Sequence, residues 1–100
     1  MKKVINRKVY DTETASFVAE ASYSYPGDFQ YWEESLYRTT DGMYFLAGEG
    51  GPMSHYAKSI GNNTTSGSSK ITPITLPAAI DWCEENDVEA DIIINEFDLQ

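Results

Sequence analysis

From residue 71 to its end the chain contains no lysine or arginine. The same stretch holds Asp81, Glu84, Glu85, Asp87, Glu89, Asp91, Glu96 and Asp98, a formal charge of −8. Cysteine is nearly absent: Cys83 stands alone, which excludes an internal disulfide and a multi-cysteine zinc site. Histidine is equally scarce, so a zinc site would need two carboxylates beside His55, and neither a metal nor a cofactor is expected. Long apolar runs are missing too. Ile92-Ile93-Ile94 falls far short of the roughly 20 residues a membrane span needs. The opening "MKKVINRKVYD" returns to charge at Arg7 and Lys8, so no signal peptide is expected. These absences predict one domain over residues 1–100, in a reducing, cytoplasmic location and with no membrane partner.

What is present is enough apolar matter for a packed core, at 41% hydrophobic and 13% aromatic residues. The net charge of −9 is unevenly spread. Residues 1–10 carry Lys2, Lys3, Arg7 and Lys8 without an acid, for +4, and residues 11–70 carry −5. Such a chain repels nucleic acid over most of its surface and is attracted to basic surfaces, including the nucleic-acid groove of another protein. Acidic charge also keeps a small protein soluble.

The pattern predicts an α+β domain. Val4-Ile5 and Val9-Tyr10 flank "NRK", which suits a short hairpin or one bent strand over 2–10. In "DTETASFVAEAS", Thr12 reads as an N-cap, and Ala15, Val18, Ala19 and Ala21 recur at helical spacing. A helix is expected there, from about 12 to 22. "YPGDFQ" is a turn. Residues 31–39 alternate, with Trp32, Glu34, Leu36 and Arg38 on one face. Asp41-Gly42 then turns the chain into Met43–Ala47. This hairpin over 31–47 is expected at the centre of a small antiparallel sheet. "PMSHYAKSIG" suits one or two helical turns capped by Ser54. "GNNTTSGSSK", residues 61–70, reads as a polar mobile loop. "KITPIT" reads as a strand that Pro73 places at a sheet edge. Thr75 caps a helix with Pro77 in its first turn and Cys83 facing inward. C-terminal helix or helices follow over about 76–97, although Ile92–Ile94 would also suit a strand.

The stretch "GEGGPMS", residues 48–54, resembles a catalytic or phosphate loop only in its glycines. A phosphate loop ends in Gly-Lys-Ser/Thr; here Glu49 would repel phosphate and Pro52 lacks an N–H. Its glycines are expected to let the chain leave a strand ending near Ala47. Ser54 and His55 are adjacent and point apart, so they make no nucleophile and base. Glu49 with His55 forms an acid–base pair only if the loop folds back. Glu33 and Glu34 point to opposite sheet faces and make no hydrolase dyad. The expected catalytic set is therefore empty. Binding to a protein is better supported. Asp81, Glu84, Glu85, Asp87, Glu89 and Asp91 form a spaced acidic series, and "YPGDFQYWEE" places Asp28, Glu33 and Glu34 among aromatics. With Glu49, these ten carboxylates are the expected partner-binding set.

The runs "YDTETA", "EESLYRTTDGMYFLAGEGGPMSHYA", "KITPIT" and "AAIDWCEEND" resemble a pattern found in small accessory proteins of bacterial mobile elements and phages. The likeness spans roughly residues 3–86. It departs at Arg7, where the pattern has Gly in an Asn-Gly turn. Some proteins of that setting inhibit host defence as anti-CRISPR or anti-restriction proteins. The resemblance thus implies a non-enzymatic inhibitor that binds a basic, nucleic-acid-binding host protein such as a CRISPR or restriction component, with possible DNA mimicry. No direct nucleic-acid binding is expected. The alternatives are a regulatory or structural module of such an element without mimicry, for which a homodimer is one form, and a small enzyme using Glu49 and His55.

Overall fold

The hairpin expected over 31–47 forms the middle of the molecule. The computed structural model describes residues 1–61 and 64–99. Its elements run β1 (Lys2–Ile5), β2 (Lys8–Asp11), β3 (Ser16–Tyr23), β4 (Trp32–Arg38), β5 (Tyr44–Gly50), β6 (Lys58–Gly61), β7 (Thr64–Ser66), β8 (Ser68–Ile74), α1 (Leu76–Glu85) and α2 (Ala90–Phe97). The main sheet is antiparallel in the order β3-β4-β5-β8, and β1-β2 and β6-β7 are separate hairpins. The α+β class stands, with both helices after the strands.

Strand alternation divides the sheet into two faces. Leu36 pairs with Leu46, and Tyr37 pairs with Phe45. Leu36, Tyr44 and Leu46 face the helices and pack with Ala79, Trp82 and Cys83. Phe45, Tyr37, Ala47 and Ile71 face the other way and pack with Ile5 and Tyr10 of the β1-β2 hairpin. Phe45, Leu36 and Cys83 are the largest fully buried side chains, and burying Phe45 or Leu36 contributes about 1.5–3 kcal/mol each. A helix layer and a basic hairpin therefore sit on opposite faces of one sheet.

The helix expected over 12–22 is not there; β3 occupies most of it. Residues 11–15 are a tight turn, with the Ala15 amide donating to Asp11 O at 3.0 Å and the Glu13 amide to Asp11 Oδ1 at 2.9 Å. A bulge falls between Phe17 and Ala19. It leaves Val18 and Ala19 both buried in the helix-side core. Two adjacent buried residues break the period of a strand and satisfy that of a helix, which is why the pattern suggested one.

Three further expectations change. Residues 52–57 form turns rather than a helix: the Ser54 amide donates to Gly51 O at 3.1 Å and the Ala57 amide to Ser54 O at 3.0 Å. Of the polar stretch 61–70, Thr64–Ser66 are β7 and β8 begins at Ser68, while residues 62 and 63 lie outside the described residues. The strand expected to end near Ala47 runs on to Gly50. Its glycines serve close packing rather than an exit. A Cβ at position 48 would lie 1.8 Å from the Tyr56 hydroxyl, and one at position 50 would lie 2.3 Å from Ser54 Oγ. Pro73 is in β8 at the sheet edge, as expected. Residues 2–11 form the hairpin, turned by Asn6 at φ 53° and Arg7 at φ 67°.

Candidate functional site

Helix α1 is built from its cap. Thr75 Oγ1 accepts the Ala78 amide at 3.2 Å, and Pro77 stands in the first turn, where no amide is missed. Ala79, Trp82 and Cys83 turn inward and are buried. The same 3.6-residue period turns Asp81, Glu84 and Glu85 to solvent. The chain leaves the helix at Asn86, passes Asp87 at φ 55°, and re-enters helix after Glu89. Asp87, Glu89 and Asp91 are also exposed. Among the described residues none of these six acids has an ion-pair partner. They lie along α1, the α1–α2 connection and the start of α2.

The placement of this charge opposes local stability. Glu84 and Glu85 lie in the last turn of α1, which has no basic residue, and its first turn has no acid. A negative charge at a helix C-terminus works against the macrodipole by about 0.3–1 kcal/mol.

The other four predicted carboxylates go elsewhere. Glu34 faces the helix side and is largely enclosed. It accepts hydrogen bonds from Trp82 Nε1 at 2.9 Å and the Tyr56 hydroxyl at 2.5 Å, and lies 3.2 Å from His55 Nε2. Burial works to raise its carboxyl, but the bonds from Trp82, Tyr56 and His55 together hold it below the ordinary carboxylate range. Burial and the Glu34 charge push the Tyr56 phenol well up. The His55 ring also stands edge-on to Trp32 at 5.3 Å. Glu34 thus ties residues 54–56 and α1 to the sheet.

Glu33 and Glu49 are paired across β4 and β5 on the opposite face. The Tyr31 hydroxyl donates to Glu33 Oε2 at 2.5 Å. That bond, then the one with Glu49, holds Glu33 low, whereas hydrogen bonding with Glu33 pushes Glu49 up. Tyr31 is itself raised to about 12 by its bond to Glu33. The suggested Glu49–His55 pair is therefore not formed: His55 has Glu34, and Glu49 has Glu33. Asp28 closes a turn, accepting Ser24 Oγ at 2.7 Å and the Gln30 amide at 2.8 Å. Those bonds, Ser24 first, lower its carboxyl.

The ten acids thus divide into a helix-side border of six, a sheet-face pair, an enclosed anchor and a turn residue. The sequence reading missed Glu20, which is exposed on β3. Its signal was the alternation in "SFVAEASY", hidden by the doubled Val18-Ala19. Also missed was Glu96, whose Oε2 accepts from Arg38 Nη1 at 2.7 Å and from the Tyr44 hydroxyl at 2.7 Å, fastening α2 to the sheet. Burial first, and then Glu96, raises Tyr44 to about 12. No helix is long and apolar enough to cross a membrane among the described residues. No family model, curated protein or solved structure matches the chain.

Proposed function

We propose that this protein is a non-enzymatic acidic inhibitor of a phage or mobile element, acting in the cytoplasm on a basic, nucleic-acid-binding host defence protein of the CRISPR or restriction kind. The observation that carries the reading is the acidic border on α1 and the start of α2. Its members are exposed and unpaired among the described residues, and two of them sit where they weaken their own helix. Solubility would be served by acids anywhere on the surface. A fold that keeps them at the wrong end of a helix gains something else from the position, and competition with a phosphate backbone for a basic groove supplies a reason.

The test is capture of a defence nuclease or its nucleic-acid-binding subunit by immobilised protein, at low and at raised salt. Capture is expected at low salt and lost as salt rises. The triple variant Asp81→Lys, Glu84→Lys, Glu85→Lys is expected to lose capture while remaining folded. Asp87 and Glu89 are left unchanged, because one has positive φ and the other opens α2. Capture undiminished in the triple variant would sink the reading.

A further inference from the structure

Strand β3 is an edge that the fold leaves open. Its only strand neighbour is β4, and among the described residues no turn, loop or side chain bonds to the β3 backbone. The opposite edge is guarded. Strand β8 carries Pro73, which removes a donor, and Lys70, and its Ile71 packs with Ile5 and Tyr10 of the β1-β2 hairpin. Strand β3, "SFVAEASY", contains neither proline nor a basic residue. Its bulge distorts the Phe17–Ala19 end only, so Ala19–Tyr23 is a regular, unpaired edge.

Two hollows flank this edge. One of about 330 Å³ lies between β3 and the α1–α2 connection, lined by Val18, Val88 and Ile92 with Asp87 and Glu89 beside it; Phe17 and Glu20 reach its rim from the other face of the strand, where the Phe17 ring stands edge-on to Tyr37. Ile92 is 36% exposed, so apolar surface is available there. The other, about 380 Å³, runs along β3 and β4 beside Glu20, Ser22, Glu33 and Ser35. Glu20 pairs with Ser35 and Ala21 with Glu34, which places Glu20 on the face away from the helices. The edge is thus acidic on both sides and has an apolar recess on the helix side.

We infer that β3 receives an extended, basic segment of a partner protein as an added antiparallel or parallel strand. The added strand uses its backbone to satisfy the open β3 groups, as in other cases of strand addition. Its side chains alternate. One set reaches Val88 and Ile92 on the helix side, and the other set carries lysine or arginine toward Glu20 and Glu33. The charge pattern selects a cationic strand over a second copy of this chain, whose own β3 would bring Glu20 and the surrounding acids against acids. This inference rests on the reading of the protein as a binder of a basic partner, and it names the element of that partner that docks.

The probe is the peptide acetyl-Lys-Val-Lys-Val-Lys-Val-Lys-amide, titrated into isotope-labelled full chain and followed by amide NMR. Shifts are expected at Ala19–Tyr23 and at Asp87–Ile92. Peptides N-methylated at alternate residues, in the two possible registers, separate strand addition from plain attraction. One of the two is expected to bind at least tenfold more weakly than the parent. The double variant Glu20→Lys, Glu33→Lys is expected to weaken the parent peptide at least tenfold, with its own amide spectrum confirming the fold. Equal binding of both methylated peptides would overturn the inference. So would shifts confined to Asp81, Glu84 and Glu85, no shifts at all, or concentration-dependent broadening of β3 without peptide, which would place a second copy there. Peptide addition without capture of a defence protein removes only the functional reading; capture without strand addition removes only this one.

Discussion

Tyr56 reaches Glu34 only because residue 48 has no Cβ. The hydroxyl occupies the space an alanine methyl would fill, so Gly48→Ala pushes the Tyr56 phenol out of its place. A loss of about 2 kcal/mol or more is expected in urea unfolding, since the displaced phenol leaves the Glu34 carboxylate short of a donor. Tyr56→Phe keeps the packing and removes that one bond to a charged acceptor, at a cost of about 1.5–3 kcal/mol. The same site sets a pH dependence. Because Glu34 is held below the ordinary carboxylate value, its contribution is complete above about pH 4.3 and is lost as pH falls through its folded value. Glu34→Gln is expected to flatten the acid limb of the stability–pH curve and to lower stability at pH 7. None of this was legible in "GEGGPMS". The glycine requirement comes from a tyrosine eight residues on, and local sequence rules do not see a partner that arrives through a turn. Cys83 was legible, because its place on the inner stripe of an amphipathic helix follows from spacing alone.

At the scale of elements, α1 offers the sharpest test of the proposed function. Replacing Glu84 and Glu85 by lysine puts positive charge at the helix C-terminus, where it is favourable. A gain of about 0.3–1 kcal/mol per site is expected, read as a higher urea midpoint. Loss of capture together with a gain in stability marks residues kept for binding at the expense of the fold. The β1-β2 turn holds a second such opportunity. Asn6 and Arg7 both have positive φ, a conformation that glycine takes more easily than arginine. Arg7→Gly is expected to stabilise by less than about 1 kcal/mol, checked by thermal unfolding. The turns at Asn6 and Asp41-Gly42 and the edge position of Pro73 were readable because each depends on its own residue. The identity of β3 was not. Its bulge presents Val18 and Ala19 to the same core, and a one-dimensional pattern cannot distinguish that from helical spacing.

For the whole molecule, the sequence discloses how charge is distributed along the chain but not where it lies in space. The sheet separates the two ends of the sequence: the hairpin with Lys2, Lys3, Arg7 and Lys8 packs on one face, and the acidic helices pack on the other. Charge changes of equal size are therefore expected to act unequally. The helix-side triple Asp81→Lys, Glu84→Lys, Glu85→Lys and the triple Glu13→Lys, Glu33→Lys, Glu49→Lys alter the net charge of −9 by the same amount. The helix-side variant is expected to elute from an anion exchanger at lower salt, because the parent presents its densest acidic border to the resin. Equal elution would mean that only net charge matters. This separation also gives the molecule an electric dipole directed across the thickness of its sheet. Near a cationic surface it feels a torque as well as an attraction, so it turns before it touches. The helices arrive first, the hairpin points back toward solvent, and the orientational search that slows most protein encounters is shortened before any contact is made.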